Sequence, residues 1–540
     1  MDADVCVIGS GAGGSTLAAE LALRGCKVVL LELGRKLDPR VDFAAGPKDK
    51  EGLPKALSES EAWAPVVPGK PVALQPGYDE LRSFNRFAPV PPLTARPPAQ
   101  VVRALGLGGS TLRFQGCSDR WAAELFKNTA LEDVDLLPYY AAAEARLRVH
   151  GPRAYHRYKP IELGPASRRM EGPFRQAGLE LLPSALAIHA SQGLDPGRGG
   201  CTRVNLCTSG CPNAAKSSYD LGMLARAQSA CPERLEIRTH ALATRLVVNR
   251  SSPGIVEAVE YADLANGRPP DGERARIRAT TYVLCAGPLE TPRLLMFSAS
   301  SRHPLGIGNA HGRVGVGLIE SLYVGLVLLF DEPLLSFRGP SMESMAETVR
   351  ECRPIQVTVT QEALNLERPL EYARRLTSRA YGAERMKEVA ARFGKAVGVL
   401  LETGQQARNE NRVLLDGSQK DPLGRPAVRI ESSLGAWDLE SLRLMLSMGR
   451  SIARAAGVDV AELQTSYDSA PGGAELRGSC RMDDDPARGV VDGKLRIHGM
   501  ENVYVADASV LPISGPGNPS LTVAALATRL AELLSTAPRK

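Results

Sequence analysis

Gly9, Gly11 and Gly14 fall in a GxGxxG spacing within VIGSGAGGST, directly after a short apolar run. Glycine at these places lets the backbone turn tightly, come close to a pyrophosphate and pack a helix against a strand. The first N–H groups of that helix then face the phosphates. Glu32 ends the next apolar run, about 20 residues on, where a carboxylate accepts hydrogen bonds from a ribose diol and repels a 2′-phosphate. A dinucleotide without that phosphate is the ligand this pattern implies, and the fingerprint alone does not separate FAD from NAD. Cys201, Cys207 and Cys211 form a second group of reactive types. They lack the paired C-x-x-C spacing of zinc sites and no nearby His supplies a fourth ligand, so a packed loop or a disulfide pair is expected and no metal. His189 and His240 fall on a loop and a strand without an identifiable partner, and neither is assigned to catalysis.

The elements that must hold these residues read as β-α-β at the start: Asp4 to Ile8, a turn over Gly9 to Gly14, a helical pattern over Ser15 to Arg24, and Lys27 to Leu31. The stretch to about Pro98 is rich in Pro and Gly and reads as loop. Leu131 to Arg148 reads as a helix, acidic early and basic late as the helix dipole prefers. Strands follow over Leu235 to Leu295, the last running through a Gly turn into a helix. Val314 to Arg429 carries apolar runs such as YVGLVLLF and PIQVTVT, with a basic helical stretch near Leu370 to Lys395, and reads as a mainly antiparallel sheet with helices. Near the end come the strand NVYVADAS, a loop with two prolines before Asn518, and a helix from about Ser520. There is no internal repeat.

At 540 residues the chain exceeds what one core usually supports, so two intertwined domains are expected. Its 66 basic and 60 acidic residues give a net charge of +6, too balanced for a nucleic-acid partner, and no basic run is interleaved with aromatics. The chain enters its first strand without a signal-like segment, no apolar run is long enough to span a bilayer, and the ten cysteines are scattered. A cytoplasmic protein with a small-molecule substrate is expected, with no nucleic acid and no membrane span.

Several ordered segments resemble the glucose-methanol-choline (GMC) oxidoreductase family. GLGGSTLRFQG (Gly106 to Gly116) is similar to that family's second Gly-rich loop, which lies along FAD. LCAGPLETPRLL (Leu284 to Leu295) is similar to its strand-to-helix segment. GSCRMDDDPARGVVD, RIHGMENVYVADASVLP and GNPSLTVAALATRLA, from Gly478 to Ala531, resemble its C-terminal portion. The resemblance implies an α/β fold, α+β overall: a Rossmann-like FAD-binding domain with an inserted substrate-binding domain built on an antiparallel, six-stranded sheet. The expected division is 1–130, 235–310 and 471–540 for the FAD-binding domain, and 131–234 and 311–470 for the substrate-binding or cap domain. Cofactor contacts are implied at Gly9, Gly11, Ala12, Gly14, Glu32, Gly108, Gly109, Ser110, Arg113, Ala286, Asp507, Ala508, Asn518, Pro519 and Thr522. Some branches link flavin covalently to a loop His; Arg113 and Phe114 stand in that part of the loop, so non-covalent FAD is expected. The three-cysteine stretch resembles a substrate-side segment of some bacterial members, with Val204 at one family cysteine position and Lys216 as a possible flavin or substrate contact.

The family places two polar side chains beside the flavin. One matches Asn518, which can donate a hydrogen bond to a substrate oxygen in the manner of an oxyanion stabiliser; as a plain loop residue it would instead cap the following helix. The other is usually His, and counting back from Gly478 in GGAELRGSC that place holds Glu475. Alcohol oxidation needs a base for the hydroxyl proton. Glu475 could be that base, with burial raising its pKa; it could bind a cationic or polyhydroxy substrate while another group moves the proton; or the reaction could differ. Hydride transfer from an alcohol carbon to flavin, giving a carbonyl, is the expected activity. The alternatives are a flavoenzyme that does not oxidise alcohols (decarboxylase, isomerase or desaturase) and a non-catalytic FAD-binding protein. The acceptor that reoxidises the flavin, dioxygen, a quinone or a redox protein, is left open. His498, ahead of the final strand, reads as structural.

Overall fold

The computed structural model describes residues 2–43, 87–88, 104–191, 197–205, 207, 210–264, 275–360, 382–420, 425–465 and 475–536. Two sheets position everything that follows. The first is a five-stranded parallel sheet in the order Val503–Val505, Ala279–Leu284, Ala3–Ile8, Val28–Leu31, Leu235–Arg238. Its strands are short, rich in Val, Ile and Leu, and buried almost throughout, as a parallel sheet covered on both faces requires. Ile8 is level with Leu31 and with Leu284, and Leu284 with Val505, so these strands end in one row. A crevice at such a row of carboxyl ends is where open α/β sheets bind ligands.

The helix Ala12–Leu23 follows the first strand and packs against the terminal helix Ser520–Thr536, which in turn packs on the helix Leu137–Leu147. The last of these starts later than the Leu131 expected from sequence. Pro138 sits in its first turn, where a missing N–H costs nothing, and Asp135 accepts from the Leu137 N–H at 3.0 Å just before it.

The second sheet is six-stranded and antiparallel in every pairing: Val460–Thr465, Ser321–Leu329, Ala396–Gly404, Arg353–Thr360, Met342–Arg350, Leu182–Pro183. Its apolar runs alternate with period two. Leu322, Val324 and Leu326, with Val397, Val399 and Leu401 beside them, face the helices Pro165–Gln176 and Ala436–Ala456. Each such side chain is worth about 1.5–3 kcal/mol when fully buried, so the register is fixed: a one-residue slip would turn the whole set away from the helices. The residues between them face the opposite way, Ser321 and Tyr323 onto a cavity and Val327 and Leu329 towards Val389 of the helix Gly382–Arg392.

Much of the Pro- and Gly-rich stretch to Pro98, and the start of the basic helical stretch from Leu370, lie outside the described residues; the end of the latter is the helix Gly382–Arg392. Among the described residues no helix is long and apolar enough to cross a membrane. All ten cysteines are free thiols, so Cys201, Cys207 and Cys211 form no disulfide pair.

Candidate active site

One cavity of about 590 Å³ runs from the carboxyl ends of the parallel strands to the side of the six-stranded sheet that faces away from its helices Pro165–Gln176 and Ala436–Ala456. At one end it is lined by Gly9 to Gly13, Glu32, Gly109, Ser110, Ala286, Asp507 and Ala508. At the other it is lined by Ser321, Tyr323, Leu400, Glu402, Glu475 and Leu476. Asn518 and Pro519 border it too.

The glycine turn does two different jobs. Gly9 has φ +96°, and a Cβ there would lie 2.5 Å from the Cys285 carbonyl oxygen; one on Gly13 would lie 1.7 Å from that of Ala506. These two glycines let three strand ends close on one another. A Cβ on Gly11, by contrast, would meet no protein atom within 4 Å. The space in front of it is cavity, and the start of the helix Ala12–Leu23 offers N–H groups with no partner inside the helix. Glu32 is buried, and its carboxyl accepts from the Ser10 N–H at 3.0 Å, the Ser10 hydroxyl at 2.5 Å and the Gly34 N–H at 2.7 Å. Burial pushes its pKa upward while these hydrogen bonds oppose the shift. Asp507 ties two loops together, accepting from Gly287 N–H at 2.9 Å, the Thr291 hydroxyl at 2.6 Å and Ser509 N–H at 2.7 Å. An open cradle with bare glycine, helix-end N–H groups and a ribose-ready carboxylate fits the dinucleotide half of FAD.

Four expected cofactor residues do not line the cavity, each for a physical reason. Gly14 faces the turn behind it, where a Cβ would lie 1.9 Å from the Gly9 carbonyl oxygen. Gly108, at φ +106°, backs onto Asp220. Arg113 is buried with its guanidinium 5.2 Å from the centre of the Phe43 ring. The Thr522 hydroxyl is engaged with that of Tyr140 at 2.8 Å. Lys216 is likewise not a lining residue: its ammonium donates to the carbonyls of Leu112, Phe114 and Cys207 at 2.8, 2.9 and 2.5 Å, which ties two loops. His498 bonds the Asp483 carbonyl at 2.8 Å, away from the cavity lining.

At the far end the segment Glu475–Met482 is threaded between two partners. Arg477 exchanges backbone hydrogen bonds with Ile319 at 2.9 and 2.8 Å, and Gly478, Cys480 and Met482 donate to the carbonyls of Ala508, Ser509 and Val510. Gly478 is required here: its φ is +72°, and a Cβ would lie 2.1 Å from the Gly317 carbonyl oxygen. Two residues further along the same antiparallel register, Glu475 comes opposite Ser321, whose hydroxyl donates to Glu475 Oε2 at 2.7 Å. Arg477 is fully buried; its Nη2 lies 3.4 Å from the same oxygen and also donates to the Ser321 hydroxyl. The guanidinium further reaches the carbonyls of Gly515 at 2.8 Å and Gly517 at 3.3 Å, the residues leading into Asn518, and lies 5.3 Å from the centre of a Trp121 ring. Burial lowers the Arg477 pKa, and the carboxyls of Glu475 and Glu402 oppose that shift. One cation thus holds both the Glu475 carboxylate and the loop that carries Asn518. Among the described residues both contacts of the Glu475 carboxyl use Oε2, leaving Oε1 without a partner.

Sequence reasoning missed Arg477, Ser321 and Glu402. Arg477 stands inside a motif already quoted, and Glu402 is a lone acid in the strand AVGVLLETG, whose period-two pattern assigns it to the face opposite Val399 and Leu401.

Comparison with known proteins points to one family and one fold. Residues 113–318 and 407–527 match the family description "GMC oxidoreductase". The 6'''-hydroxyparomomycin C oxidase of Streptomyces lividus is 30% identical, over 99% of this chain and 91% of its own length. The fructose dehydrogenase large subunit of Gluconobacter japonicus is 26% identical, over 99% and 98%. Among solved structures, a pyridoxine 4-oxidase from "Mesorbium loti" superposes with a TM-score of 0.64 at 20% identity, and an Aspergillus oryzae formate oxidase studied for FAD modification with 0.62 at 16%; each comparison covers 98% of both chains.

Proposed function

We propose, from the premise that this chain belongs to the GMC oxidoreductase family, that it oxidises a carbinol of a small polyhydroxylated, sugar-like substrate, with Glu475 as proton acceptor and Asn518 as hydrogen-bond donor. The chain is an FAD-dependent oxidoreductase, and its relatives support alcohol oxidation as the reaction type. The observation that carries the finer reading is the Ser321–Glu475–Arg477 constellation, which opens on the same cavity as the glycine turn and Asn518.

Bound FAD supplies the electrophilic centre that takes hydride from the carbinol carbon. The chain's own residues do the rest. Oε1 of Glu475, left over by Ser321 and Arg477, accepts the hydroxyl proton, so carbon–oxygen double-bond formation and proton loss are matched. Arg477 and Ser321 fix the carboxyl's orientation through Oε2. Asn518 donates to the substrate oxygen as negative charge develops on it. Its side-chain amide forms no hydrogen bond among the described residues, so the helix-capping role is not taken up and the amide is available to a ligand. The names of two relatives, the oxidase above and a paromamine 6'-oxidase of Streptomyces fradiae at 29% identity, support an amino-sugar-like alcohol. We further propose the division into an FAD-binding part (1–130, 235–310, 471–540) and a substrate part (131–234, 311–470), supported by the separation of the parallel from the six-stranded sheet.

The test is the absorbance spectrum of the purified protein followed by anaerobic titration with alcohols and polyols. A flavin spectrum bleached by one class is the expected result, and a flavin spectrum that no alcohol bleaches would overturn the reading.

A further inference from the structure

Glu402 lies on the cavity face of the strand Ala396–Gly404, next to Leu401 on the core face. It is only 8% exposed, and among the described residues its carboxyl has neither a hydrogen bond nor an ion pair. Buried carboxyls are otherwise paired or hydrogen-bonded, because an unpartnered one carries the whole desolvation cost. The groups around it do not supply a partner. Tyr323 and Gln356 stand in register on the two flanking strands, Glu475 repels it, and the Arg477 guanidinium is already taken up by Ser321, Glu475 and the carbonyls of Gly515 and Gly517. Burial pushes the Glu402 pKa up to about 8, Glu475 pushes it the same way, and the charge of Arg477 opposes them without a direct contact. Beside Arg477, the substrate end of the cavity therefore presents two carboxyls, Glu402 and Glu475, and that guanidinium is already engaged, so the Glu402 carboxyl waits for a donor.

A substrate hydroxyl would offer this carboxyl one neutral donor, little better than water. An ammonium offers three donors and a charge; by displacing the proton that the free carboxyl holds below about pH 8, it forms a hydrogen bond between ions, roughly twice as strong as a neutral one. We propose that Glu402 is the recognition group for a protonated amine, so that the preferred alcohol carries an ammonium against Glu402 while its carbinol lies against Glu475 and Asn518. This rests on the alcohol-oxidase reading above and adds to it the charge of the substrate.

The test uses the holoprotein and a matched pair of probes, methyl 2-amino-2-deoxyglucoside and methyl glucoside. Affinity is measured by calorimetry and flavin bleaching under anaerobic conditions. The wild type is expected to bind the amino sugar on the order of 10- to 100-fold more tightly, the range of a hydrogen bond to a charged group. Glu402→Gln should lose that preference while keeping its flavin spectrum. If Gln at this position fails to hold FAD, Glu402→Met removes the same charge with similar volume, and Glu402→Asp should keep part of the preference. Equal affinity of the wild type for both sugars overturns the proposal, as does a preference that survives in the neutral variants. A neutral variant that slows bleaching by both sugars equally, with the preference intact, also overturns it and moves Glu402 to proton transfer. Bleaching by both sugars with no preference leaves the oxidase reading standing. Absence of bleaching by any alcohol removes that reading, and the calorimetric preference then decides this one alone.

Discussion

The two ends of the cavity are built on different physics. The dinucleotide end is a matter of backbone: Gly9 and Gly13 are there because carbonyls of Cys285 and Ala506 leave no room for a side chain, and the level ends of four parallel strands create the crevice. The substrate end is a matter of side chains: an antiparallel sheet presents Ser321, Tyr323, Leu400 and Glu402 on one face. A backbone-built site tolerates almost no change and is the same for any ligand of its class. A side-chain-built site can be rewritten residue by residue while the sheet persists, since only the alternate residues face the helices. The first end therefore reports the cofactor and the second the substrate.

Substitutions can break this comparison. The largest effect is expected from Gly13→Ala, whose Cβ would lie 1.7 Å from the Ala506 carbonyl oxygen: soluble, flavin-loaded protein should be lost altogether, as read from yield and absorbance. Gly11→Ala, two residues away, has no protein atom to strike. Its circular dichroism should be unchanged while FAD content falls, because the methyl enters space the cofactor needs; if flavin is retained at wild-type level, the cradle has been placed wrongly. Next comes Glu475→Gln, with FAD bound as before and anaerobic bleaching slowed by about 10²- to 10⁴-fold, the range for loss of a general base. Arg477→Met should slow bleaching less but lower the melting temperature, since uncoupling a buried ion from its partners costs about 3–5 kcal/mol.

The smallest effect sharpens the contrast through pH. Glu402 has a folded pKa of about 8, above the ordinary carboxylate value, so between those two values the folded state holds a proton that the unfolded state has lost. Stability contributed by this group is present at acid pH and falls as pH rises through that window. Glu402→Gln should leave the melting temperature near pH 4 unchanged and raise it by a few degrees at pH 8 to 9. A variant that melts lower at both ends would mean that the carboxyl has a partner after all.

The sequence made the backbone-built end readable because glycine spacing and an acid after the next strand leave a trace that needs no tertiary context. The six-stranded sheet was also readable in outline, from runs of β-branched residues and from family resemblance. What it hid were contacts made by register. Nothing local tells Ser321 that Glu475 will stand opposite it, since the pairing is set by Ile319 meeting Arg477 across more than a hundred residues. The family resemblance implies cofactor contacts at Arg113, Gly108 and Thr522, but resemblance carries no direction for a side chain, and Arg113 lies towards Phe43. Glu402 leaves no signal in composition: what marks it is that it falls on the alternate face of the strand Ala396–Gly404, opposite Val399 and Leu401.

The order of strands in the parallel sheet also bears on how the protein is made. Residues 3 to 8 sit at the centre of a sheet whose edge strand is Val503–Val505, and the helix that covers Ala12–Leu23 is the last one in the chain. At a synthesis rate of about 5–20 residues per second, the sheet begun by the first strand waits roughly half a minute or longer for its last strand and covering helix to leave the ribosome. For the later part of that interval, from its own synthesis onward, the strand Ala279–Leu284 has an open, apolar edge of the kind that invites pairing with other chains. Truncation within the last forty residues should therefore yield aggregated nascent chains in place of a smaller folded enzyme.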